Sequence, residues 1–123
     1  MVRILIVDDS PTEVHVLKNM LEKNGFKTLS ANSGEDGIVL AKKEKPDLIL
    51  MDVVMPGMNG FQATRKIAKE PDTAKIPIII VTTKDQETDR VWGLRQGAKD
   101  YITKPAKESE LIAKIKDILG NQK

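Results

Sequence analysis

Apolar residues fall in five short blocks along this chain, and each block is followed by a longer stretch in which they recur every three or four positions. The blocks read as strands: Arg3 to Val7, Phe26 to Ala31, Leu48 to Met51, Ile78 to Val81 and Tyr101 to Thr103. The intervening stretches read as helices with identifiable ends. Ser10 is an N-cap with Pro11 at the first helical position and Glu13 three residues on, a capping box; Val14, Leu17 and Leu21 form the stripe, and Asn24-Gly25 the stop. Ser33 opens a second helix through Ile38, Leu40 and Ala41, ending before Pro46. Asn59 caps a third containing Phe61, Ala63, Ile67 and Ala68, which closes before Pro71, and residues 70–75 read as an exposed turn. Asp85 is a cap for a fourth helix through Val91, Trp92 and Leu94, of which Trp92 reads as core, with Gly97 as its end. The fifth carries Leu111, Ile112, Ile115, Ile118 and Leu119 on one face.

Strands alternating with helices imply a parallel sheet covered on both faces through right-handed crossovers. The fold class expected is α/β: a single doubly wound (βα)5 domain, flavodoxin-like, with a five-stranded sheet in the order 2-1-3-4-5. With 123 residues the chain makes one domain, residues 1–120, followed by a polar tail at 121–123 and no output domain. Composition narrows the function classes. There is no cysteine, which removes disulfides, thiolate metal sites and thiol catalysis. One Trp, one Tyr and two Phe are too few for base-stacking platforms, and the net charge of +2 comes from lysines scattered among acids, so nucleic acid is not an expected partner. No apolar run approaches the ~20 residues that span a bilayer, and the N-terminus lacks a signal peptide, so the expected location is cytoplasmic and no membrane partner is expected.

The strand ends carry the chemistry. Strand one ends in Asp8-Asp9, strand three in Asp52, strand four in Thr82-Thr83 and strand five in Lys104. In this topology those ends meet at the switch point between strands one and three, where open α/β sheets bind ligands. Taken singly each residue has an ordinary reading: Asp8 and Asp9 as acids near a helix N-terminus, Thr82 and Thr83 as hydroxyls bonded to backbone, Lys104 as a loop lysine. Convergence in one crevice overturns those readings. Three carboxylates together hold protons more tightly unless a cation sits among them, and oxygen-only donors in an open site suit Mg²⁺ better than a Ca²⁺ cage. Lys104 and a hydroxyl beside such carboxylates make a receptor for a phosphoryl group, and a carboxylate can itself be the nucleophile. His15 is the only histidine and reads as a surface residue.

The chain resembles the CheY-like receiver domains of response regulators over nearly its full length. The resemblance rests on Asp8-Asp9, on Met-Asp-x-x-Met-Pro-Gly-x-Asn-Gly at Asp52, on Thr82 and on Lys104-Pro105, each at the end of a separate strand. It implies that Asp52 accepts a phosphoryl group from the phosphohistidine of a histidine kinase. It also implies that Asp8, Asp9, Asp52 and the backbone carbonyl of Val54 surround Mg²⁺, and that Lys104 contacts the phosphoryl group. Thr82 and Tyr101 would be the switch, and the Lys104–Pro105 bond would be cis. The readout would be a downstream protein docked on the face of helix 4, strand 5 and helix 5, with the chain itself a monomer. It would be a phosphoacceptor assisting only its own phosphorylation and dephosphorylation, not an enzyme with an external substrate. Local text, Asn-Gly-Phe-Gln-Ala-Thr-Arg and Thr-Thr-Lys-Asp-Gln-Glu-Thr-Asp-Arg-Val-Trp-Gly, is similar to the PilH-type single-domain regulators of type IV pilus twitching motility. Thr83 stands where a small residue is common, and Val54 and Lys84 flank the path of a hydrolytic water, so the lifetime of the phosphorylated state does not carry over.

Alternatives to the signalling switch are a phosphoryl sink draining a shared kinase, and a flavodoxin-like ligand-binding module. The module would want a Gly-rich or hydroxyl-rich first loop where this chain has Asp8-Asp9-Ser10-Pro11. A small phosphatase would need a second catalytic acid just beyond Asp52, where Val53 and Val54 stand.

Overall fold

The computed structural model describes residues 1–120; the polar tail expected at 121–123 lies outside the described residues. Its ten elements alternate: β1 (Arg3–Val7), α1 (Pro11–Lys23), β2 (Lys27–Ala31), α2 (Gly34–Glu44), β3 (Leu48–Met51), α3 (Gly60–Lys69), β4 (Ile78–Thr82), α4 (Glu87–Arg95), β5 (Asp100–Thr103) and α5 (Glu108–Gly120). The strands form one parallel sheet in the order β2-β1-β3-β4-β5, the order expected from the sequence.

Side chains alternate across each strand, so one apolar run feeds two cores. Ile4, Ile6, Leu48, Leu50, Ile79 and Val81 face α1 and α5, while Leu5, Val7, Ile49, Met51 and Ile78 face the side of α2 and α3. This is why the three central strands read as continuous apolar runs: both faces are buried. The register then aligns the strand ends. Val7 pairs with Met51, so Asp8 and Asp52 leave their strands abreast, and Thr82 pairs with Thr103, so Lys104 follows beside them. The backbone closes the same edge: Asp52 N donates to Val7 O at 2.9 Å and Lys104 N to Thr82 O at 2.8 Å.

Four local expectations are corrected. The core side chain of α4 is not Trp92, which is 48% exposed and flanked by exposed Val91 and Leu94; the buried position is Gly93. A Cβ at Gly93 would lie 2.7 Å from Ile80 Cδ1 and 3.2 Å from Tyr101 Cδ2, so the helix backbone itself packs on the sheet and its large side chains point outward. The cap of α4 is Gln86 rather than Asp85, and its backbone N–H donates to Asp89 Oδ2 at 3.3 Å. The turn after α3 is not wholly exposed: Thr73 is buried and its hydroxyl donates to Ile67 O at 2.7 Å, tying the turn to the helix it follows. The capping box of α1 is half made, because Ser10 Oγ accepts from Glu13 N at 3.3 Å while Ser10 N donates to Asp8 Oδ1 at 3.0 Å, not to Glu13.

The loop after β3 is closed by Gly60, whose N–H donates to Val53 O at 3.0 Å. A Cβ there would lie 1.9 Å from Asp52 O and 2.8 Å from Val53 Cα, and backbone atoms of a buried strand end cannot give way. Gly60→Ala is therefore expected to cost about 3 kcal/mol or more and lower the Tm by ~10 °C or more. Gly120→Ala, where a Cβ meets nothing within 4 Å, leaves it within a degree or two or raises it. Thermal unfolding of the two variants beside the wild type checks this, and a mild Gly60→Ala contradicts it.

Candidate functional site

Each expected site residue is set at the carboxyl edge by the strand before it. Asp8 follows β1 and Asp52 follows β3, and both carboxylates are buried, whereas Asp9, one residue further along, is exposed. The carboxylates of Asp8, Asp9 and Asp52 each offer an oxygen within 4.8 Å of the others. Three hard oxygen donors, two buried and one open to solvent, fit a divalent cation that keeps part of its water shell. Val54 lies in the loop two residues past Asp52 with its side chain exposed.

Lys104 enters from β5, and its ammonium is the positive charge among these acids. Nζ stands 2.7 Å from Asp8 Oδ2, 3.6 Å from Asp52 Oδ2 and 3.5 Å from Glu13 Oε1, with only 9% of the side chain exposed. The Lys104–Pro105 bond is cis. Burial pushes the Lys104 ammonium down, but its hydrogen bond to Asp8 and the charges of Asp52, Asp8 and Glu13 outweigh burial and hold its pKa above the ordinary lysine value. Asp52 goes the other way. Burial raises its pKa, Lys104 lowers it, Asp8 raises it again, and the Val53 N–H and the Thr82 hydroxyl lower it, with a net rise above the ordinary aspartate value. The Val53 N–H donates to Asp52 Oδ1 at 2.8 Å, which leaves Oδ2 as the oxygen facing Lys104.

Thr82 ends β4 fully buried, whereas Thr83, the next residue, is exposed. The Thr82 hydroxyl accepts from Lys84 N at 3.4 Å, and the Tyr101 hydroxyl donates to Lys84 O at 2.7 Å. The backbone of Lys84 is thus held from both sides, by a residue that acts on Asp52 and by one on the neighbouring strand. The Tyr101 ring is buried against Val53, Phe61, Ile80 and Ala98, and burial with the charges of Asp89, Asp52 and Asp85 pushes its pKa up to about 12. It donates a hydrogen bond and does not titrate in the neutral range.

Two residues take parts here that differ from their reading in the sequence. Glu13 reads there as the partner of a capping box, and its reach to Lys104 depends on β5 ending beside the first turn of α1, which no local pattern encodes. Lys84 contributes backbone rather than side chain, and its ammonium pairs loosely with Asp89 at 3.9 Å. His15 is on the surface as expected, with its ring Nε2 3.1 Å from Asn19 Nδ2. Beside Asp8 and Asp9 a hollow of about 660 Å³ opens between α1 and α2. A larger one of about 920 Å³ lies along α3, and none of the three acids lines it.

Known proteins share this fold and much of this sequence. The family model described as "Response regulator receiver domain" matches residues 4–116. The chain is 62% identical over 120 residues to Protein PilH of Pseudomonas aeruginosa, covering 98% of this chain and 99% of that protein. A CheY-like response regulator receiver domain protein from Methanospirillum hungatei superposes with a TM-score of 0.91 at 32% identity, covering 99% of this chain and 96% of that one. The receiver domain of a sensor histidine kinase from Pseudomonas aeruginosa, with a magnesium ion coordinated in its active site cleft, superposes with a TM-score of 0.89 at 32% identity. That match covers 96% of this chain and 97% of the other.

The charge balance at Asp52 gives a measurable pH dependence. The stability that a raised carboxylate pKa contributes is fully present below the unfolded value, ~3.9, and is lost as pH rises through the higher folded value. In chelator at about pH 7, Asp52→Asn is therefore expected to raise the Tm by ~3 °C by removing a buried charge beside Asp8. The gain fades as pH falls through the raised folded value, where the wild-type carboxyl takes up its proton, and is gone below the ordinary aspartate value. Thermal melts across that range check it, and an Asn variant no more stable than wild type at neutral pH contradicts it.

Proposed function

This chain belongs to the response regulator receiver domain family, and from that premise we propose that it is a phosphorylation-driven signalling switch whose phosphoacceptor is Asp52. The observation that carries the reading is the pairing of a buried carboxylate with a buried ammonium 3.6 Å away, beside two further acids. Asp52 Oδ2 attacks the phosphorus of a kinase phosphohistidine, forming an O–P bond as the P–N bond breaks and the imidazole leaves with the electron pair. Lys104 turns between Asp8 and the incoming phosphoryl oxygens, and the Thr82 hydroxyl donates to one of them. Asp8, Asp9, Asp52 and the Val54 carbonyl are the proposed holders of Mg²⁺, which supplies positive charge to phosphoryl oxygens. The chain does no chemistry on an external substrate in this reading.

The same geometry supports a route from site to surface. A movement of Thr82 toward the phosphoryl group gives up its long contact with Lys84 N and leaves that residue held only by Tyr101. The loop before α4 is thereby released on one side, and two surfaces exchange population. The downstream protein docks on the face of α4, β5 and α5, where Val91, Trp92 and Leu94 are exposed. The likeness to Protein PilH over nearly the full length of both proteins supports a pilus-related role, and the pathway proposed is control of type IV pilus twitching motility. Among the described residues no helix is long and apolar enough to cross a membrane.

Incubation with acetyl phosphate and Mg²⁺, followed by intact-mass measurement, tests the central claim. Wild type is expected to gain one base-labile phosphoryl group and Asp52→Asn none; equal gain by both, or gain by neither, refutes it. The metal assignment has its own readout in thermal stability without any phosphodonor. Millimolar Mg²⁺ is expected to raise the wild-type Tm by a few degrees, about 1–3 kcal/mol of binding linkage, and that of Asp9→Ala by less than half as much. Equal shifts in the two proteins remove Asp9 from the metal site.

A further inference from the structure

Glu13 has no part in the phosphoacceptor reading, yet its carboxylate shares the ammonium on which that reading depends. It is free to do so because Asp8, not Glu13, takes the N–H of Ser10, so the third helical residue is not folded back on its own cap. Its Oε1 stands 3.5 Å from Lys104 Nζ, and its side chain is 39% exposed where Asp8 and Lys104 are 2% and 9% exposed. Lys104 thus has a buried partner in Asp8 and a solvent-exposed one in Glu13, with Asp52 also in reach.

Resting on the phosphoacceptor reading, we infer that Glu13 is a charge filter at the mouth of the crevice, selecting among phosphodonors by their negative charge. A donor brings its phosphoryl group in from solvent toward Asp52 and Lys104. The Glu13 carboxylate competes with it for the ammonium and repels it in proportion to its charge. Acetyl phosphate arrives at neutral pH as a dianion, whereas phosphoramidate carries a protonated nitrogen and a net single negative charge. Both reactions form the same O–P bond at Asp52. One breaks P–O and releases acetate; the other breaks P–N and releases ammonia. The filter therefore disfavours dianionic donors relative to donors whose leaving nitrogen carries a proton. A residue that only capped α1 would change both rates alike.

The test compares initial phosphorylation rates of wild type and Glu13→Gln with acetyl phosphate and with phosphoramidate, at saturating Mg²⁺, by intact mass. Gln keeps the size and helix preference of Glu at an N-terminal turn, and Glu13→Ala serves as a second neutral variant. The expected result is a rise of about threefold in the ratio of the acetyl phosphate rate to the phosphoramidate rate in both variants, shrinking toward unity at ~1 M salt as the charge is screened. An unchanged ratio, or a change that salt does not reduce, overturns the filter while leaving the acceptor role of Asp52 intact. A wild type that neither donor phosphorylates overturns the acceptor reading and the filter with it.

Discussion

The structure turns on one buried ammonium shared among carboxylates. Lys104 touches Asp8 at 2.7 Å and reaches Asp52 and Glu13, and no other cation lies within ion-pair distance of these acids among the described residues. Such a cluster is a poor way to make a protein stable, because the desolvation of buried charges consumes most of their mutual attraction and well-packed apolar side chains of similar volume do as well or better. The division of charge is also unequal. Lys104 is held firmly in its charged form, while Asp52 pays for burial next to Asp8 and stays above its ordinary pKa. The acid left least satisfied is the one whose Oδ2 faces the open side of the ammonium. It stands to gain most from a new positive charge or from conversion to a group whose oxygens the ammonium can face.

The fold makes this cluster possible by spending its apolar residues first. β1, β3 and β4 are buried on both faces, so their register is fixed by two cores at once and their ends cannot slip relative to each other. A one-residue shift of β3 against β1 would exchange the two faces and carry Asp52 out of line with Asp8. Gly60 then sets the return path: only a residue without a side chain lets α3 start against the carbonyl of Asp52, which keeps the loop after β3 short. The precision of the polar site is therefore inherited from apolar packing beneath it.

That inheritance explains what was legible in the sequence. Strand ends were readable because runs such as Leu48 to Met51 stop abruptly at an acid, and the 2-1-3-4-5 order then places Asp8, Asp9, Asp52, Thr82 and Lys104 at one edge without any knowledge of side-chain contacts. Helix caps were readable where the pattern is local, as at Ser33 and Asn59, whose side chains accept from Asp36 N and Gln62 N. The misses at Ser10 and Trp92 turn on partners that no local pattern encodes. Ser10 N had two carboxylates to choose from and took Asp8, which is 2 residues away, leaving Glu13 for Lys104 across the crevice. Thr73 looked like part of a solvated turn, and its hydroxyl is occupied by the backbone of the preceding helix. Trp92 looked like core because large apolar residues usually are, and nothing local says that the sheet is met there by a glycine.

α4 is the consequence of that substitution of backbone for side chain. A helix that packs through Gly93 comes close to Ile80, Tyr101 and Phe61 but buries no large side chain of its own. The apolar area it would expose on shifting is small, so little hydrophobic free energy holds it against the sheet compared with α5, which buries Leu111, Ile112 and Ile115. Much of its remaining attachment runs through the loop before it, where Thr82 and Tyr101 hold the two ends of the Lys84 peptide. One of those holds is a 3.4 Å contact from the hydroxyl that also acts on Asp52. Weak packing and a hydrogen bond shared with the site thus meet at one helix: anchored by large residues of its own, it would depend less on the Lys84 contact, and with those residues turned inward Val91 and Trp92 would not be exposed.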